Sequence, residues 1–264
     1  MIELKDLTVT FNAGTPMETR ALQGLTLSIP AGQFVTVIGS NGAGKSTLLN
    51  ALTGDVRPHH GSVTIGGTNV TGWSVPARAG LIARVFQDPM AGSCEALTIE
   101  ENMALAAARG RKRGFARALR GSVRALFREK LKQLGLGLEA RLADKMGLLS
   151  GGQRQAVSLL MATLRPMKIL LLDEHTAALD PKTAQFVLQL TDTIVSAQRL
   201  TTLMVTHSMR QALDHGSRTI MLHEGSVAFD VAGPTKKELD VSDLLTLFSR
   251  GQGQALTDDS LLLG

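Results

Sequence analysis

The sequence predicts an α/β fold with a mainly parallel sheet, an N-terminal antiparallel β portion and an inserted helical lobe. Three observations carry this. Short apolar runs at 34–38, 169–172, 202–205 and 219–222 have the length and composition of strands buried on both faces. Helical stretches at 47–52, 184–195 and 209–213 alternate with them, the pattern of a sheet built by crossover helices. A long helical, Arg-rich block interrupts that alternation between Gln87 and about Leu164.

Taken in order, Ile2, Leu4, Leu7, Val9 and Phe11 roughly alternate with polar residues and read as a strand, closed by a turn at 12–16. Leu25, Leu27 and Ile29 alternate again and stop at Pro30-Ala31-Gly32. The run 34–38 leads straight into Gly39, and a helix follows. Residues 63–65 form a short strand before Gly66-Gly67, and 81–86 is a further strand candidate. From Thr98 to about Leu136 the pattern is helical. The boundaries expected are a nucleotide-binding core over 1–87 and 165–233, a helical lobe over 88–164 and a C-terminal tail over 234–264.

Gly39-Ser40-Asn41-Gly42-Ala43-Gly44-Lys45-Ser46, followed by Thr47, fits G-x-x-x-x-G-K-[ST] between a buried strand and a helix. Glycines let such a backbone turn tightly enough to aim N–H groups at phosphate oxygens, and the helix adds its positive end. Lys45 suits the terminal phosphates, and the Ser46 hydroxyl is a hard oxygen ligand for Mg²⁺. The core is therefore predicted to be a P-loop NTPase. The run 169–172 ends in Asp173-Glu174. Two acids at a strand end can divide the work, Asp173 against the metal and Glu174 as general base for the attacking water.

Leu149-Ser150-Gly151-Gly152-Gln153, ahead of a helical run, resembles the signature motif of ABC ATPases. The resemblance spans nearly the whole chain. It implies that Gln87 is the glutamine joining core to helical lobe, facing nucleotide and Mg²⁺. It further implies that Ala178-Leu179-Asp180 is the D-loop, that His207 is the switch histidine near the γ-phosphate, and that Phe11 stacks on adenine. ATP and Mg²⁺ are then the cofactors. Two copies close head to tail around two nucleotides, the segment Ser150, Gly151, Gly152, Gln153 of one capping ATP held by the other. Such a subunit drives separate transmembrane permease subunits from the cytoplasmic face of the membrane, fed indirectly by a periplasmic or lipid-anchored substrate-binding protein. Nucleic acid is not among the expected partners.

One departure is His175, where many relatives have Pro. The stretch 175–181, the segment 221–225 and the tail residues 255–259 resemble a bacterial importer subgroup assigned to aromatic amino acid uptake. For His175, both packing and a second catalytic role are open.

Composition sets bounds. Hydrophobic residues make up 44% of 264, enough for a sizeable core, and charged residues 19%. The formal charge of +5 suits nucleic acid, phosphate or an anionic surface equally. Cys94 is the one cysteine, so no internal disulfide forms. No run approaches the roughly 20 apolar residues of a membrane span, and the N-terminus reads without a leader. Arg113, Arg117, Arg120, Arg124 and Arg128 recur at helical spacing, beside an apolar stripe of Leu119, Val123 and Leu126. That face suits solvent, anionic lipid or permease, or nucleic acid. His59 and His60 read as solvent-exposed loop residues. Two rivals to a transport subunit stand: an ABC ATPase without a permease, and an unrelated P-loop kinase, which would lack Ser150 to Gln153.

Overall fold

The computed structural model describes residues 1–110 and 121–252. Along the chain run β1 (Ile2–Phe11), β2 (Thr19–Ile29), β3 (Phe34–Ile38), α1 (Lys45–Thr53), β4 (His60–Ile65), β5 (Thr68–Asn69), α2 (Val75–Arg78), β6 (Ile82–Val85), α3 (Ile99–Ala107) and α4 (Gly121–Lys132). There follow α5 (Gly151–Thr163), β7 (Ile169–Asp173), α6 (Pro181–Gln198), β8 (Thr202–Val205), α7 (Met209–Asp214), β9 (Arg218–His223), β10 (Ser226–Ala232), α8 (Gly233–Glu238) and α9 (Val241–Gln252). The fold is α/β, as the alternation predicts. The described residues form two compact units, 1–78 with 198–252, and 79–110 with 121–197.

The first unit holds two sheets. β1 pairs antiparallel with β2 and with β4, so Ile2, Leu4, Leu7 and Val9 are buried with Leu22, Leu25, Leu27, Ile29, Val63 and Ile65. Alternation along one buried face is what holds this register, since a one-residue slip would turn the apolar set to solvent. In the other sheet β3 runs parallel to β8 and β9, and β10 lies antiparallel on β9. Val35, Val37 and Ile38 are buried, as a central strand demands. α1 leaves directly after β3. Its C-terminal carbonyls are taken by buried Arg78, whose Nη1 donates to Ala51 O at 2.7 Å and Leu52 O at 2.6 Å. Met209 and Ala212 of α7 and Leu244 of α9 pack with Ile38 and Met221.

In the second unit β6 runs parallel to β7, and α3, α4 and α5 share one apolar core that includes Ile99, Met103, Phe127, Leu131 and Leu160. Thr98 and Glu101 close a capping box at the start of α3. The apolar face of α4 differs from the predicted stripe. Phe127 and Leu131 are buried with Val123 packed beside them, whereas Leu126 is 47% exposed. The i, i+4, i+8 spacing of Val123, Phe127 and Leu131 is the seam that meets the core. Arg124 leaves the arginine face to grip Glu100 through Nε at 2.8 Å and Nη2 at 2.7 Å, while Arg128 is exposed. Arg113, Arg117, Leu119 and Arg120, and the tail residues 255–259, lie outside the described residues.

Helix was predicted to about Leu136, but α4 stops at Lys132, where Gly135 and Gly137 follow in left-handed conformations. Sequence reasoning passed over β10, although Val227, Phe229 and Val231 alternate there with exposed residues. His60 opens β4 rather than a loop, and its Nε2 lies 3.0 Å from Asp6 Oδ2.

Truncating Phe127 to Ala is expected to cost about 3–5 kcal/mol. Leu126→Ala should stay within about 0.5 kcal/mol of the parent. Denaturant unfolding followed by circular dichroism checks both; equal losses would mean that the two side chains share one environment.

Candidate functional site

In the first unit, buried β3 delivers the chain into Gly39 to Gly44, and α1 begins at Lys45. Gly44 is the N-cap, with φ 101°, and a Cβ there would sit 2.6 Å from Ala21 O. Only glycine fits that conformation and that approach. No side chain caps α1, whose ladder opens with Leu48 N–H donating to Gly44 O at 2.8 Å. The amides before Leu48 therefore point out of the helix start, where an anion is the natural partner. Lys45 is buried, and its Nζ donates to Gly39 O at 2.6 Å and Ser40 O at 2.9 Å. Those two carbonyls hold the loop closed around the ammonium.

His207 also belongs to this unit. It follows β8 and is half-buried between two anchored neighbours. Thr206 Oγ1 donates to Gln211 Oε1 at 2.8 Å and accepts from Ser208 N–H at 3.1 Å, and Ser208 Oγ caps α7 by accepting from Gln211 N–H at 3.2 Å. Phe11 ends β1 and is 39% exposed, so it is no core residue.

In the second unit, β7 ends at Asp173, and the next residue, Glu174, is left-handed at φ 47°. That conformation is uncommon for a side chain beyond Cβ and marks a backbone held by its surroundings. Asp173 Oδ2 lies 2.5 Å from Nη2 of Arg84 on the neighbouring strand β6. His175 is buried, its Nε2 3.0 Å from Thr191 Oγ1. Asp180 precedes Pro181, the first residue of α6, and its Oδ1 accepts from Thr183 N–H at 3.1 Å. The Thr183 hydroxyl and amide together hold the Asp180 carboxyl below the usual carboxylate range.

Ser150 caps α5. Its Oγ accepts from Gln153 N–H and its N–H donates to Gln153 Oε1, both at 3.2 Å. Gly152 packs so closely on α6 that a Cβ would lie 2.0 Å from Thr183 Cγ2, and one on Gly151 would touch Leu179. The predicted signature and D-loop segments thus meet within one unit. Gln87 is exposed, one residue past Phe86, whose carbonyl accepts from buried Gln155 Nε2 at 3.0 Å. Sequence reasoning missed Arg84, Gln155 and Thr183; an arginine inside an otherwise apolar strand was the available signal for the first.

Residues 22–177 match the ABC transporter family. The chain belongs to it. It is 42% identical over 248 residues to the tyrosine transport ATP-binding protein of Clostridioides difficile (strain R20291), covering 94% of this chain and 98% of that one. To the thiamine import ATP-binding protein of Escherichia coli (strain K12) it is 34% identical, covering 87% and 90%. An ATP-binding cassette solved as a dimer in a post-hydrolysis state with ADP and Pi superposes with a TM-score of 0.73 at 33% identity, covering 88% of this chain and 98% of that one. This ABC chain is an ATPase and an ATP-binding subunit of a transporter. No helix among the described residues is long and apolar enough to cross a membrane.

Gly152→Ala should unfold at lower temperature than the parent, because the β-branched Thr183 cannot swing its methyl aside. Thr183→Ser in the same chain removes that methyl and should restore most of the loss. Differential scanning fluorimetry on the single and double variants checks this; no rescue would place the clash elsewhere.

Proposed function

We propose that this ABC ATPase closes as a homodimer around two MgATP and drives a separate permease that imports an aromatic amino acid. The observation that carries the nucleotide reading is the uncapped start of α1 behind a glycine N-cap, with Lys45 buried in the same loop. Phe11 offers an exposed ring for adenine. Gly39, Ser40, Asn41, Gly42, Ala43, Gly44 and Thr47 line the phosphates with backbone and hydroxyl donors, and Lys45 exchanges its two carbonyls for β- and γ-phosphate oxygens. The segment Ser150, Gly151, Gly152, Gln153 of the second copy caps the γ-phosphate, and Asp180 lies beside that junction.

Glu174 accepts a proton from water as the water oxygen bonds to the γ-phosphorus and the bond to the β-phosphate oxygen breaks, giving ADP and phosphate. His207 donates to a γ-phosphate oxygen as charge shifts. Ser46, Gln87 and Asp173 offer hydroxyl, amide and carboxylate oxygens, the hard donors that Mg²⁺ prefers. When bound, Mg²⁺ neutralises charge on the phosphates. The cargo reading rests on the name of the C. difficile relative and on the 175–181 and 221–225 segments. The subunit then sits on the cytoplasmic face of the membrane, with a substrate-binding protein on the far side, and residues 88–164 form the lobe that engages the permease.

Glu174→Gln should retain ATP binding, lose about 10²–10⁴-fold in hydrolysis and run as a dimer in ATP on size-exclusion chromatography. Wild-type turnover by that variant would assign the base elsewhere. In proteoliposomes with permease, ATPase activity should rise with binding protein loaded with tyrosine or tryptophan; a response to another cargo class instead would overturn the aromatic reading.

A further inference from the structure

The carboxylate assigned to the metal already has a resident cation. Arg84 stands on β6 opposite Leu171 of parallel β7, two residues short of Asp173. Its Nη2 lies 2.5 Å from Asp173 Oδ2, with the two side chains 14% and 16% exposed. Just past the end of β6, the Phe86 ring centroid is 4.9 Å from the guanidinium carbon. Phe86 is fixed in turn, because its carbonyl accepts from Gln155 Nε2. The guanidinium is therefore held on two sides, by a ring and by a carboxylate, and both partners sit on anchored backbone.

A carboxylate paired to arginine is a poorer ligand for a dication than a free one. The pair is already neutral, and a second cation must share or displace the guanidinium against like-charge repulsion. Shielding from water strengthens both effects. We propose that Arg84 is a positioning residue that holds the Asp173 carboxylate and competes with the divalent cation for it, so that cation capture requires Arg84 to give up part of its hold on Oδ2. Mg²⁺ then binds tightly only when nucleotide phosphates supply the rest of its charge balance. This rests on Asp173 being the metal carboxylate.

The test is calorimetric titration of the full chain with ADP, in Mg²⁺ and in EDTA. The ratio of the two affinities measures how strongly cation and nucleotide are coupled. Arg84→Gln and Arg84→Met should leave the affinity in EDTA near the parent and raise the ratio about fivefold or more. Arg84→Lys, which keeps the charge, should stay near the parent. Misfolding cannot mimic this, since damage weakens binding in both buffers rather than tightening it in one. A ratio that stays level or falls in both neutral variants, with parent affinity in EDTA, would overturn the competition. Asp173→Asn separates the two readings. If it leaves the ratio intact, the metal assignment fails; if it drives the ratio toward one while the Arg84 variants do nothing, this inference alone fails.

Discussion

A helix start without an internal partner is the constraint on which the rest of this molecule turns. The first amides of α1 have nothing to donate to within the helix, and Gly44 contributes no side chain to them. Ordinary helices solve this with a capping oxygen, as α3 does with Thr98 and α5 with Ser150. At α1 the same solution would fill the space that the proposed phosphate takes. The loop is instead closed from inside by Lys45 on Gly39 O and Ser40 O, and from outside by Ala43 O accepting from Gly225 N–H at 3.1 Å. None of those three bonds draws on an α1 amide.

The same local plan recurs where the other candidate residues stand. A buried strand ends, one or two polar residues follow, and a helix begins within a few positions. β3 leads to the loop and α1; β7 leads to Asp173, Glu174 and α6; β8 leads to His207 and α7. Burial of the strand sets where the polar residue emerges, and the helix start fixes the direction of the chain beyond it. Asp180 and Ser208 each spend an oxygen on that helix start, which holds the short connection in one shape.

This explains how much was legible in the sequence. Apolar runs of four or five residues are local patterns, so β3, β7, β8 and β9 were read correctly. What escaped depends on partners distant in sequence. Arg84 acquires meaning only through its partner 89 residues away. Which of Leu126 and Phe127 faces the core is decided by α3 and α5, not by α4 itself. β10 exists because β9 offers an edge, and its half-exposed alternation is weak beside the buried runs.

His175 shows how a departure in sequence can serve the backbone beside it. Glu174 sits at φ 47°, a conformation that costs of order 1–3 kcal/mol and persists only where neighbours over-determine it. On one side Ala177 N–H donates to Glu174 O at 2.9 Å. On the other, the imidazole of His175 is buried against α6, where Thr191 Oγ1 already donates its one proton to Val187 O at 2.8 Å. The hydroxyl can then only accept, so the proton in the 3.0 Å contact belongs to His175 Nε2. The ring proton on that nitrogen ties residue 175 to the middle of a long helix, and the turn carrying Glu174 is clamped between that tie and the bond from Ala177. The contribution of His175 is to brace the backbone of the turn that carries Glu174.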